Sequence, residues 1–245
     1  MKNQWTNVHM FIKLCEGGLM SDRHRVAEQL RQLSRLYVNA QKYRNKYGNM
    51  LFSKTDYLEG DKKEWELFFK TQLSKNMDLE KGLDKKMDEL LPQHPWSEYL
   101  LKIRGVGPVI ASSIIGELDG AIYGHIEKDS TEKPELRGYG REFERTSDLW
   151  AFAGYAVKDG KAAKRKTGET SAWNNYLKLA CYKFSENQIK QGTTYRKVYD
   201  DRKLFEQTNH AELTKGHIHA RAKRYMIKKF LSDIKHDLVD QSDHV

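Results

Sequence analysis

Apolar and aromatic residues recur at Val26, Leu30, Leu33, Tyr37 and Ala40, at spacings of four, three, four and three, while Arg and Gln fill the intervening positions. That period predicts a long amphipathic helix capped by Ser21 and ending near Gly48. After a break between Gly48 and Gly60, Trp65, Phe69, Leu73 and Met77, then Leu83, Met87 and Leu90, mark a second stripe within a highly charged segment. The seam is narrow, as in paired helices rather than in a helix laid on a broad core. The two stripes therefore predict an antiparallel helical hairpin, or a coiled coil with a second subunit that would make a homodimer. The alternative is that both stripes pack onto the rest of the chain.

The pattern stays helical towards the C-terminus. Trp173, Leu177, Ala180, Cys181 and Phe184 share one face, and Ile218, Ala222, Tyr225, Met226 and Phe230 share another. Strand signals are thin, apart from Asp159-Gly160, which can turn a short hairpin between Ala156 and Lys161. All four prolines fall between Pro92 and Pro134, so punctuation is concentrated there and both flanks are free to run as long helices. The expected fold is mostly α: a long helical hairpin or coiled coil, a helix-hairpin-helix module and a basic helical C-terminal region. The expected divisions are 1–95 for the N-terminal segment and arm, 96–235 for the helix-hairpin-helix domain, and 236–245 for a frayed tail.

Composition adds an electrostatic character to this outline. Lys and Arg total 43 against 34 Asp and Glu, a net charge of +9, with a pI near 9.3 and a mean hydropathy of −0.81. An anionic partner is expected. Cys15 and Cys181 are far apart and have no second ligand at metal-binding spacing, so no disulfide framework, metal or other cofactor is expected and a reducing cytoplasm fits. The most apolar run, Ile110 to Ile115, is much shorter than the ~20 residues of a spanning helix, so no membrane association is expected.

The most informative stretch is Leu100 to Gly116. An apolar helix end leads into Arg104, Gly105, Val106 and Gly107, and Pro108 opens a second helix with Ile110, Ala111, Ile114 and Ile115 on its apolar face. In a helix-hairpin-helix, glycines free the backbone so that successive N–H groups converge on one phosphate oxygen, and the second helix aims its positive end at the same anion. Such a turn grips nucleic-acid backbone without reading bases. The alternative is an αα-hairpin turn with no ligand.

Two basic stretches point the same way. Between Val157 and Lys183 lie Lys158, Lys161, Lys164, Arg165, Lys166, Lys178 and Lys183, against Asp159 and Glu169, with Trp173 and Tyr176 interleaved. Lys164 to Gly168 reads as a basic loop entering a helix capped by Thr170 or Ser171. The second stretch holds Lys215, Arg221, Lys223, Arg224, Lys228 and Lys229, with Arg221, Arg224 and Lys228 on one helical face. Arg104 to Gly107, Lys161, Lys164, Arg165, Lys166, Arg221, Arg224 and Lys228 are the candidate DNA-binding residues. Candidates for catalysis are sparse. Glu117, Asp119, Asp148, Asp159, Asp200 and Asp201 show no metal-binding spacing and read as surface ion pairs, and His217 and His219 do not share a helical face.

The order of features, from Met87–Leu91 through Ile103–Ala111, Phe143 with Leu149–Tyr155, Gly160–Gly168 and Asn174–Lys178 to the final helices at Tyr195–Lys203 and Ala220–Leu231, resembles the C-terminal half of the DEDD-type, RNA-bridged insertion-sequence transposases over about residues 65 to 232. The resemblance implies a coiled coil, a DNA-binding transposase domain and a role in DNA transposition and recombination by a mobile element. It also implies a RuvC-like catalytic domain and a nucleophilic serine near a Ser-Gly pair. Here only about 20 residues precede the first long helix, and Asp159-Gly160 stands where the Ser-Gly pair would fall. A carboxylate cannot replace a hydroxyl that must attack phosphorus, and Ser171 lies too far along to take the role. The expectation is thus a transposase-like protein that binds DNA, or structured RNA, through its backbone and without autonomous catalysis. A phosphodiester-cleaving recombinase or nuclease, and a helical assembly protein, are the alternatives.

Overall fold

The computed structural model describes residues 22–53, 62–123, 136–139, 143–158, 160–162, 164, 168 and 170–239. The chain is mostly helical. Helices α1 (Asp22–Phe52) and α2 (Lys62–Leu90) form the arm, and a 3-10 turn (Leu91–Gln93) leads to α3 (Ser97–Lys102) and α4 (Pro108–Leu118). Then follow β1 (Ala121–Tyr123), β2 (Leu136–Tyr139), α5 (Thr146–Phe152), β3 (Val157–Lys158), β4 (Lys161–Ala162), α6 (Asn175–Gln191), α7 (Thr194–Asn209), α8 (Lys215–Ile234) and a π-helical turn (Lys235–Val239). β1 pairs with β2 and β3 with β4, each antiparallel, so the strands amount to two small ribbons. Gly160, which precedes β4, has φ +71°, a left-handed conformation that glycine adopts readily; Asp159 lies outside the described residues. Ser21, the expected cap of α1, lies outside the described residues.

The arm is antiparallel and closed within one chain. Near its base Leu30 shares the core with Met87 and Leu91; towards its tip Arg44 meets Glu80 at 2.6 Å and the rings of Tyr47 and Phe69 lie 6.4 Å apart. The seam of α1 is therefore covered by α2, and Leu30 and Leu33 pack within their own chain. Two expectations change. α1 runs through Gly48 to Phe52, because pairing with α2 outweighs the ~1 kcal/mol that glycine costs a helix. In α2, Trp65 and Met77 are exposed, and the buried positions are Phe69, Glu80, Leu83 and Met87. Glu80 occupies the seam because Arg44 neutralises it.

α4 is buried along its length from Ile110 to Leu118, as suits a helix apolar on nearly every side. α1 lies so close to it that a Cβ on Gly116 would fall 2.4 Å from the Cα of Arg31. Val26, Ala27 and Leu30 of the arm thus enter the same core as Ile114, Ile115, Phe184 and Phe230. The division expected at 95/96 runs through this continuous core. At the other end, residues 235–239 are not frayed: Leu238 is buried and the Tyr99 hydroxyl donates to Asp237 Oδ2 at 2.7 Å. Residues 240–245 lie outside the described residues. No described helix is long and apolar enough to cross a membrane.

Candidate nucleic-acid interface

The turn between α3 and α4 has the expected outline and a different division of labour between its glycines. Gly105 has φ +91°, which only glycine adopts without strain. Gly107, at φ −96° and ψ 178°, is extended backbone open to any residue, and a Cβ there would meet nothing within 4 Å. The expectation that both glycines are conformationally required is corrected for Gly107. Val106 also departs from its expected role, since its N–H donates to the Ile103 carbonyl at 2.9 Å and is turned away from any ligand. Gly107 caps α4, its carbonyl accepting from the N–H groups of Ile110 and Ala111, and Pro108 takes the first helical position. The N–H of Val109, in the first turn, has no acceptor within the helix. Arg104 stands exposed beside this opening, with no ion-pair partner among the described residues.

The turn is held from behind by α6. Asn187 Nδ2 donates to the Gly105 carbonyl at 3.0 Å, and Gln188 Nε2 donates to the Arg104 carbonyl at 2.8 Å. α6 itself begins at Asn174, whose side chain accepts from the N–H groups of Tyr176 and Leu177; Thr170 and Ser171, the expected caps, precede it.

The basic residues divide into three groups. Lys161 and Lys164 are exposed near the β3–β4 ribbon, whereas Arg165 and Lys166 lie outside the described residues. Lys183 belongs to the body–arm contact, donating to Gln41 Oε1 at 2.8 Å, and Arg221 is neutralised by the buried Glu206 at 2.9 Å, so neither is a free cation. Arg224 and Lys228, half-buried on α8, have no ion pair among the described residues, and Lys178 of α6 joins them. Lys178 Nζ sits 4.1 Å over the Trp173 ring and Lys228 Nζ 4.4 Å over Trp150. Burial, with the neighbouring Arg224 charge, pulls both lysines below their ordinary pKa.

Lys178 and Trp173 belong to the first basic stretch of the sequence but not to the candidate site, and Trp150 and Tyr155 stand there only as part of the segment Leu149–Tyr155. Trp173 precedes Lys178 by five residues, a local signal that was there to be used. Nothing local links Trp150 to Lys228, which are 78 positions apart.

The acidic candidates are corrected as well. Glu117 and Asp119 are buried, not surface residues. Glu117 accepts from Arg35 at 2.6 and 2.7 Å and from Asn174 Nδ2 at 2.6 Å, with Arg31 at 3.7 Å. Asp119 accepts two bonds from Arg23 at 2.7 and 2.8 Å and contacts His94 Nε2 at 2.8 Å. These oxygens are committed to tying α1 to the end of α4. Among the described residues no cluster of three or more His, Cys, Asp or Glu could hold a metal. His219 pairs with the Tyr199 hydroxyl at 2.7 Å, and His217 is exposed. Cys181 is buried, which pushes its thiol up to about 12, far from a reactive thiolate.

No protein-family model matches the chain, and no curated protein is significantly similar to it.

Proposed function

We propose that the protein binds nucleic-acid backbone, DNA or structured RNA, without reading sequence, as the DNA-binding part of a transposase-like protein. The observation that carries this reading is Arg104, an exposed cation with no carboxylate partner among the described residues, beside the Gly105–Gly107 turn where α4 presents its N-terminus. An exposed guanidinium next to unpaired amides suits a phosphodiester, which offers oxygens to both. The exposed Lys161 and Lys164 add to the field that attracts a polyanion. The resemblance to the RNA-bridged transposases supports the same reading; the nucleophilic serine it implies is not carried over, since Asp159-Gly160 stands where the Ser-Gly pair would fall.

The test is duplex binding at several salt concentrations. Arg104→Glu is expected to weaken binding to unrelated sequences by the same factor and to reduce the slope of log affinity against log salt by roughly 0.9, one phosphate contact. A folded Arg104→Glu protein with unchanged affinity and slope would overturn the proposal.

A further inference from the structure

Lys178 and Lys228 come from two helices distant in sequence, yet the short segment from Trp150 to Tyr155 is hydrogen-bonded to the carbonyls of both, and Arg224 stands one helical turn before Lys228 on α8. Clusters of partly buried cations are ordinarily neutralised by carboxylates. Here no described carboxylate acts on either lysine. The one that acts on Arg224, Glu206, is already taken by Arg202 and Arg221.

Aromatic rings hold the lysines instead. The Tyr155 hydroxyl donates to the Lys178 carbonyl at 2.9 Å and its ring lies 6.0 Å from Lys178 Nζ; Trp150 Nε1 donates to the Lys228 carbonyl at 3.1 Å while its ring carries Lys228 Nζ. Two rings are thus bonded to the backbone of the very residue whose ammonium they support, which fixes each cation's position. A ring face attracts an ammonium but leaves its N–H donors largely unspent. Beside them, the buried Trp173 Nε1–H has no acceptor among the described residues. The cluster therefore has positive charge and spare donors, placed in advance.

We propose that Lys178, Arg224 and Lys228 form a phosphoryl-binding site, in which Trp150, Tyr155 and Trp173 hold the cations and a phosphate supplies the missing negative charge. A phosphate fits better than a carboxylate because its several oxygens can accept from three cationic groups at once. The site is separate from the α3–α4 turn, which rests on Asn187 and Gln188 at the far end of α6. It depends on the reading above only for the source of the phosphate, a nucleic-acid strand or a small phosphorylated molecule.

The experiment is a titration of the full chain with inorganic phosphate at constant ionic strength, balanced with chloride and followed by tryptophan fluorescence, since two of the rings involved are indoles. A saturable change is expected with phosphate and not with chloride. Lys178→Gln and Lys228→Gln are each expected to weaken it by about tenfold, the loss of one charge-assisted contact. Displacement of phosphate by a short duplex identifies the source as nucleic-acid backbone; phosphate binding without displacement supports the site with a small phosphorylated ligand. A wild-type protein with no saturable response overturns the proposal whether or not the variants fold, as does a full response in the folded double variant. Phosphate binding that persists while the wild-type protein fails to bind duplex would refute nucleic-acid binding and leave this site standing.

Discussion

Arg35 of α1 and Glu117 of α4, 82 positions apart in sequence, form a two-bond ion pair at 2.6 and 2.7 Å. Glu117 is buried, and Asn174, the cap of α6, donates to the same carboxylate. One acidic side chain therefore registers three helices: the arm, the central helix and the helix that supports the α3–α4 turn. Arg35 is itself stacked against Tyr176 of α6, 4.6 Å from the ring centre.

Removing Arg35 leaves Glu117 buried with too little compensation. Arg35→Ala is expected to destabilise the protein by about 3–5 kcal/mol, the usual effect of breaking a buried pair. Arg145→Ala, which breaks the exposed pair with Asp148, is expected to cost no more than about 1 kcal/mol. Urea midpoints of the two variants check the contrast, and equal losses would mean that the buried pair is not holding the helices.

Asp119 makes the fold sensitive to acid. Burial by itself would raise its carboxyl, but hydrogen bonds from His94 and Arg23 outweigh that and hold it below the ordinary value of 3.8. A carboxyl depressed in the folded state contributes stability that is complete above its unfolded pKa and is lost as pH falls through the folded one. Stability should therefore decline below about pH 4, and Asp119→Asn should flatten that decline while lowering stability at neutral pH. Denaturant midpoints measured from pH 2 to 7 test the slope; an unaltered slope in the variant would assign the decline to other carboxylates.

The two turn glycines should respond differently to substitution. Gly105→Ala must adopt φ near +91° and brings a Cβ within 2.9 Å of Gln188 Nε2, so a loss of ~1–3 kcal/mol is expected. Gly107→Ala has ordinary dihedrals and open space, so stability should be unchanged or up to about 1 kcal/mol higher. Thermal unfolding distinguishes them. Gly107→Val then becomes a clean probe of ligand approach, because any loss of duplex affinity would come without a loss of fold.

The sequence by itself determined the helical class, the two long amphipathic helices of the arm, the Gly105–Gly107 turn and the surplus of positive charge. Each is written locally, in a repeat of three and four, in a short glycine and proline pattern, or in composition, and each follows from backbone geometry or from the need to cover an apolar stripe. The tertiary structure decided which charges are free. Glu117 and Asp119 read as surface residues until α1 delivers Arg35 and Arg23 to them, and Arg221 reads like Arg224 until Glu206 arrives from α7. Lys228 looks like a solvated lysine until Trp150, 78 residues earlier, slides beneath it. A local pattern can mark a side chain as charged, but neutralisation depends on what lies within a few ångströms in space. In this chain those neighbours come from other helices.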